Sequence, residues 1–245
     1  MRLQTTLTSK VTSLALSAVM AAGLATQLFA SAPTQPGKIE VKAIRGQVTS
    51  FIPGGTPAPL KAGTMLSPGS TIKTGKDSAA DLFLGKNVGS IRIEENSTLS
   101  IDKLTVTDTG ADSVVDTQLN LSEGTILANV NKLSAASKYE IKVPNGVAGI
   151  RGTRLLASAN SYFVLLDGAM VYVHVPPGGN PTPYTLQAPP PVYFSPLEGV
   201  KHAPMDLVEN VEKRFKEGPG GTVQATGRTT AATLPETYVS PGTGK

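Results

Sequence analysis

Short stretches of alternating apolar and polar residues follow one another from residue 38 to about residue 199. Representative pairs are Ile39 and Val41, Leu82 and Leu84, and Ile141 and Val143. Successive side chains of a β-strand point to opposite faces, so this spacing predicts a series of half-buried strands. Turn-forming pairs such as Pro53-Gly54 and Pro68-Gly69 separate them. No convincing long helix interrupts this stretch, and the pattern predicts an all-β sandwich, barrel or solenoid.

The last strand of this series has two candidate faces. Val171, Val173 and Val175 alternate with Tyr172 and His174. We expect the three valines to face the core, because β-branched residues favour the buried face of a strand. Tyr172 and His174 are then expected on the opposite, polar face.

The composition supports a β-domain but leaves little material for catalysis. The chain of 245 residues contains no Cys and only two His, His174 and His202. Disulfides, thiolate metal ligands and cysteine nucleophiles are thereby excluded, and a histidine-based triad has almost no material. No Ser lies in a Gly-x-Ser-x-Gly elbow, and the adjacent Glu94 and Glu95 point to opposite faces of an extended chain. The sequence therefore predicts a protein that is not an enzyme and holds no metal and no cofactor.

Residues 1–30 are predicted to be a secretory signal peptide. Arg2 and Lys10 are their only charged residues, an apolar run follows, and small residues end the segment near Ala30. This order of basic, apolar and small-residue regions is typical of export signals. We expect cleavage after Ala30, a periplasmic or extracellular mature chain, and no membrane span after removal of the signal.

The charge of the mature chain argues against nucleic acid as a partner. Two of the 22 Lys and Arg residues lie in the predicted signal, so 20 remain against 18 Asp and Glu. Binding to nucleic acid requires a basic patch that neutralises phosphates, and no Lys/Arg cluster is present.

Three segments carry closely spaced Gly, Thr and apolar residues. The first runs from Arg45-Gly46-x-Val48 to Ile72-x-Thr74-Gly75, and the second from Gly89-Ser90-x-Arg92-Ile93 to Ser97-Thr98-Leu99. The third and most specific is Val143-Pro144-x-x-Val147-Ala148-Gly149-Ile150-Arg151-Gly152-Thr153. These segments resemble the motifs of the FecR family, which is named after a regulator of ferric-citrate uptake. The resemblance covers residues 38–175, and we place the FecR-like β-domain at residues 38–200.

The resemblance implies a periplasmic, all-β, solenoid-like domain. In the family's regulators this domain receives a signal from a TonB-dependent transporter of the outer membrane. A membrane helix and a cytoplasmic segment then pass the signal to a sigma factor. Since this chain offers only the predicted signal peptide in place of that helix, transmembrane sigma regulation is not expected.

A structural role is favoured for the signature residues Gly149, Arg151, Gly152 and Thr153. A phosphate-binding glycine loop needs a helix N-terminus behind it, whereas the residues after Thr153 continue as a strand pattern. The glycines are therefore expected at a tight corner between strands, where they permit positive φ or close backbone approach. The guanidinium of Arg151 suits loop carbonyls or a neighbouring acid, and contact with a ligand or partner is the alternative.

Residues 201–218 are predicted to form a linker and an amphipathic helix from Pro204 to Lys216. Pro204 and Asp206 are residues that favour the first turn of a helix. Basic residues, which favour the last turn, and Gly218 mark its end. One face carries the apolar residues Leu207, Val208, Val211 and Phe215. This face either caps the β-domain or docks on a partner. Residues 219–245 are predicted to be disordered.

These features predict an exported, non-enzymatic FecR-type domain that recognises an envelope protein or a surface polysaccharide and takes part in envelope signal sensing. A structural component of a surface layer or fibre, which self-associates by stacking, is the first alternative. An enzyme that acts on envelope polysaccharide is the less favoured one, because no paired acids with suitable spacing are visible.

Overall fold

The computed structural model describes residues 33–110 and 112–220. The predicted signal peptide at residues 1–30 lies outside the described residues, as does the predicted disordered tail at residues 219–245 apart from its first two residues. Both assignments therefore stay predictions. The described part consists of strands β1 to β18 and one helix, α1.

The strands follow one another with short connections. Their bounds are β1 (Thr34–Pro36), β2 (Ile39–Arg45), β3 (Val48–Phe51), β4 (Ala58–Pro59), β5 (Met65–Leu66), β6 (Thr71–Thr74), β7 (Ala79–Phe83), β8 (Gly89–Ile93), β9 (Thr98–Asp108), β10 (Ser113–Glu123), β11 (Thr125–Val130), β12 (Lys138–Val143), β13 (Gly146–Ile150), β14 (Arg154–Ser158), β15 (Tyr162–His174), β16 (Thr182–Ala188), β17 (Val192–Ser195) and β18 (Gly199–His202). The helix α1 spans Met205–Lys216.

The strands pair into two sheets, which we call sheet A and sheet B. Sheet A has the order β4–β3–β6–β9–β10–β12–β13–β15–β16, with β1 beside the second half of β9. Sheet B has the order β5–β2–β7–β8–β11–β14–β15–β17–β18. All these pairs are antiparallel except β10 with β12, which is parallel.

One cluster of buried apolar side chains draws on both sheets. Ile72 and Leu119 contribute from sheet A, and Leu82 and Leu155 contribute from sheet B. The prediction of an all-β fold with a short C-terminal helix is confirmed. The solenoid-like character is not confirmed, because each coil of a solenoid contacts only its neighbours, whereas strands far apart in this sequence share one core.

The long strand β15 belongs to both sheets. Its first half, up to Asp167, pairs with β14 and β17 in sheet B, and its second half, from Gly168, pairs with β13 and β16 in sheet A. Gly168 has a φ of +95° at this crossing. An added Cβ would overlap the carbonyl oxygen of Gly152 and would lie 2.9 Å from the Cα of Thr153. Only glycine therefore fits at this position.

Helix α1 lies on the outer face of sheet B. It begins one residue after the predicted start, because Pro204 takes the N-cap position with extended backbone. A second apolar cluster joins Val208, Val211 and Phe215 of the helix to the sheet. Among the described residues no helical segment has the length and apolar character of a membrane span.

Candidate functional site

In the second half of β15 the fully buried side chains are even-numbered, and the odd-numbered ones are exposed or half-buried. Tyr172 has 0% of its surface exposed, whereas Val171 and Val175 are 46% and 40% exposed. The half-buried ring of His174 lies 5.7 Å from the ring of Tyr172 and 5.9 Å from that of Phe194. The prediction that the valines face the core, with Tyr172 and His174 on the polar face, is therefore wrong.

The cause is a one-residue shift of the alternation where β15 changes sheets. In sheet B the odd-numbered Phe163 and Leu165 face the central core, while Val164 and Leu166 face α1. In sheet A the even-numbered Met170 occupies the central core instead. Since a shift by one residue sends every side chain to the other face, the crossing turns the valines outward.

Four valines form an apolar stripe on the outer face of sheet A. Val171 and Val173 lie on β15, Val175 directly follows its last residue, and Val147 of β13 pairs with Val173. We call these four residues the valine face. Soluble domains rarely leave apolar side chains contiguous on their surface unless the patch binds something. The valine face is therefore the first candidate interaction surface.

A shallow groove of about 240 Å³ borders the valine face. One row of cross-strand neighbours runs through it, consisting of Glu140, Gly149, Val171 and Thr185. Gly149 creates the depression because it has no side chain. An added Cβ there would have only the carbonyl oxygen of Val171 within 4 Å, at 3.8 Å. The groove is thus open above the glycine.

Two of the predicted signature residues line this groove. Gly149 forms part of its floor, and Arg151 lies at its border. The Arg151 side chain is exposed and donates a hydrogen bond from Nη1 to the carbonyl oxygen of Ala135 at 3.2 Å. The guanidinium thus contacts a loop carbonyl and still faces solvent, where a partner could reach it.

The other two signature residues are buried at the corner between β13 and β14. Gly152 has a φ of +68°, and an added Cβ would lie 2.8 Å from the Cα of Lys132. Thr153 is fully buried, and its Oγ1 has no hydrogen-bond partner among the described residues. The tight corner expected for the signature glycines is thus found at Gly152, whereas Gly149 lies within a strand.

A comparison with models of protein families matches the segment that contains these residues. Residues 70–188 match the model described as FecR protein, a segment that runs from β6 to β16. The match includes the valine face, the groove and all four signature residues. The chain contains a FecR domain. Domains of this family are regulatory and signal-sensing rather than catalytic, and they are typically periplasmic.

Neither the curated proteins nor the solved structures include a significant match to this chain. Strands β1 to β5 precede the segment that matches the FecR model. Ile39 and Val41 of β2 nevertheless belong to the same core as the matched strands. The boundary of the domain at residues 38–200 stays a prediction.

Ion pairs flank the groove of the FecR domain on one side. Lys138 of β12 lies 3.0 Å from Glu140, and Lys142 lies 3.9 Å from Asp102. The hydrogen bond and the charge of Glu140 raise the pKa of Lys138. On the other side β16 presents the uncharged residues Pro183, Thr185 and Gln187. The valine face therefore lies between one flank whose charged side chains are paired with each other and a second flank that has no charged side chains.

The apolar face of α1 is occupied by the FecR domain itself. Val208, Val211 and Phe215 are buried against sheet B, and Leu207 is partly buried beside them. Docking of these residues on a partner stays a prediction, and it would require α1 to leave the sheet.

Ion pairs between residues that are distant in the sequence hold α1 in place. Arg154 forms a bidentate pair with Glu212 at 3.0 and 2.7 Å, and its guanidinium lies 4.9 Å from the ring centre of Phe215. Arg214 pairs with Glu94 through two hydrogen bonds. Both pairs join residues far apart in sequence, so no local motif indicates them.

Arg92 is the most deeply buried of these charged residues, with 2% of its surface exposed. It donates to both carboxylate oxygens of Asp81, at 2.6 and 2.9 Å. Its Nη1 also donates to the carbonyl oxygens of Arg214 and Phe215, at 2.8 and 3.2 Å. Arg92 thus satisfies carbonyl groups that the end of a helix leaves without intrahelical donors.

The acidic and histidine side chains of the described part do not converge on a metal site. No group of three or more His, Asp or Glu residues there could hold an ion. Glu94 is directed to Arg214, whereas Glu95 accepts a hydrogen bond from the backbone of Asp77 at 2.8 Å. This divergence agrees with the expectation that the two adjacent acids point apart.

Proposed function

We propose that this chain is an exported, non-enzymatic recognition domain whose valine face binds an envelope protein and thereby takes part in signal sensing. The observation that carries this proposal is the outward turn of Val171, Val173 and Val175 beside the groove that contains Gly149 and Arg151. The regulatory character of FecR domains supports the sensing role.

The chemistry of the surface favours a protein over a polysaccharide. Hydroxyl groups of a sugar must keep hydrogen-bond partners when they are buried, and four valine side chains supply none. The aromatic rings of Tyr172 and Phe194 lie in the core and are not available on this face. A partner with apolar side chains would instead desolvate the valines without leaving polar groups unpaired.

Photocrosslinking in cells tests this proposal directly. A photoreactive amino acid in place of Glu140, which lines the groove on β12, is expected to capture one envelope protein. The same group in place of Glu209, on the exposed side of α1, serves as the matched control and is expected not to capture it. Identical products from both positions, or recovery of wall glycan alone, would overturn the proposal.

Charging the valine face is expected to abolish recognition without unfolding the domain. For Val173→Lys we expect at least a tenfold reduction of the captured protein, because the ammonium group would be desolvated in an apolar contact. The half-exposed position should keep the change in the free energy of unfolding within about 0.5 kcal/mol. The control Val114→Lys places the same charge on the outer side of β10 and should keep full capture. Equal losses in both variants would contradict the assignment of the site.

Export is tested by the N-terminus of the protein that cells accumulate. We expect the mature chain to begin at Ser31 and to be released with the periplasmic or extracellular fraction, because residues 1–30 carry the order of regions of an export signal. N-terminal sequencing of the purified protein checks the cleavage site. An intact Met1 on cytoplasmic protein would refute export while leaving the valine face untouched.

A further inference from the structure

The strand β16 forms an edge of sheet A. Within the described residues it pairs with β15 and with no other strand. Its neighbour across the groove is the valine face, since Thr185 pairs with Val171 and Pro183 pairs with Val173. An edge strand presents unpaired backbone groups, which makes it a template for another strand.

The hydrogen bonds of β15 show which residues of β16 face the open edge. Arg151 donates its N–H to the carbonyl oxygen of Ala169 at 3.0 Å, and Val175 donates to that of Asn145 at 2.8 Å. Odd-numbered residues of β15 therefore bond toward β13. Because residues of an antiparallel strand direct their backbone groups to alternate sides, the even-numbered ones bond toward β16.

It follows that the β16 partners of odd-numbered β15 residues direct their N–H and C=O groups outward. These partners are Pro183, Thr185 and Gln187. Proline has no N–H to offer and is tolerated in a strand where that group would face solvent, which agrees with an outward position of Pro183. Thr185 and Gln187 are exposed, and their outward backbone groups have no hydrogen-bond partner among the described residues.

This edge lacks the usual protection over a short window. Natural edges are commonly blocked by lysine, proline or a bulge. Between Pro183 and Pro189 the sequence is Tyr-Thr-Leu-Gln-Ala, without a charge or a proline. The prolines thus limit the open edge to the two residues Thr185 and Gln187.

We propose that β16 pairs antiparallel with β16 of a second copy of the chain, with Leu186 on the twofold axis. Thr185 of each copy then exchanges N–H and C=O hydrogen bonds with Gln187 of the other copy, which gives four bonds. In a register centred on Thr185, Gln187 would face Pro183, which has no N–H, so the carbonyl oxygen of Gln187 would lack a donor. The register centred on Leu186 pairs the N–H and C=O groups of both Thr185 and Gln187.

This dimer joins two copies of sheet A into one continuous sheet. A twofold axis perpendicular to the sheet keeps both outer faces on the same side, so the two valine faces become parts of one surface. A bivalent surface of this kind raises the avidity for a partner that presents two sites. The pairing depends on backbone groups of β16 alone and does not require the valine face to bind any protein.

Sedimentation velocity of the mature chain tests the pairing. Over concentrations from about 10 μM to about 1 mM, we expect a reversible shift from monomer to dimer. Thr185→Pro removes one outward N–H per copy and leaves the ladder to β15 intact, so it is expected to raise the dimer dissociation constant at least tenfold. Thr185→Val keeps the N–H and is the matched control, which should dimerise like the unaltered chain.

Amide hydrogen exchange provides a second measurement that does not depend on a proline variant. In the unaltered chain the exchange of the Thr185 and Gln187 amides should slow as the protein concentration rises. The amide of Leu186, which bonds to β15, should stay protected at every concentration. A chain that remains monomeric up to about 1 mM, or a dimer that persists in Thr185→Pro, would overturn the proposal.

Discussion

Replacing Arg92 with methionine is expected to lower the free energy of unfolding by about 3–5 kcal/mol. The variant leaves the buried carboxylate of Asp81 without its cation, and an uncompensated buried charge is costly. It also removes the donors to the carbonyl oxygens of Arg214 and Phe215 at the end of α1. Urea unfolding of purified protein measures the change.

Two further variants separate the causes of this loss. Arg45→Met removes an exposed arginine and is expected to change the free energy of unfolding by no more than about 0.5 kcal/mol. The double variant Arg92→Met with Asp81→Val removes both charges and should recover part of the loss, since an apolar pair needs no charge compensation. A loss below about 1 kcal/mol for Arg92→Met alone would show that Arg92 does not hold α1 on the sheet.

Gly168→Ala is expected to lower the free energy of unfolding by about 3–5 kcal/mol, through backbone strain and steric overlap together. The φ of +95° is unfavourable for any residue with a Cβ. The added atom would also overlap the carbonyl oxygen of Gly152 and crowd Thr153, which are parts of the neighbouring corner. Thermal and urea unfolding report the loss.

Gly69 offers a matched control for the strain component. Its φ of +93° is nearly the same, and an added Cβ would have nothing within 4 Å. Gly69→Ala is therefore expected to cost only about 1–2 kcal/mol. If both alanine variants lost the same stability, close packing at the sheet crossing would not be the reason for glycine at position 168.

The sequence was sufficient for the class of fold, the family and the helix. Period-two alternation and turn residues predicted the strands, and the segment from Val143 to Thr153 carried the resemblance to FecR that the family comparison confirmed. The amphipathic pattern and basic last turn predicted α1 to within one residue. These signals are local, because each depends on residues only a few positions apart.

The orientation of β15 could not be predicted in the same way. The pattern of the sequence favours a buried face for Val171, Val173 and Val175. It favours a polar face for Tyr172 and His174. Tyr172 is nevertheless the buried residue, because its ring packs 5.0 Å from that of Phe194 and its hydroxyl donates to Ser161 at 2.7 Å. Those partners belong to another strand and to a turn, so the alternation of apolar and polar residues within β15 does not indicate them.

Taken by itself, the sequence determined that this chain forms strands followed by an amphipathic helix and carries a FecR signature. The tertiary structure alone decided which face of each element is buried, and with it the candidate site. The shift at Gly168 turned the valines outward, and the packing of α1 buried Arg92. Both outcomes follow from contacts between segments that are distant in the sequence. The free energy of these contacts exceeds the local conformational preference of the residues, and the spacing of neighbouring residues does not indicate it.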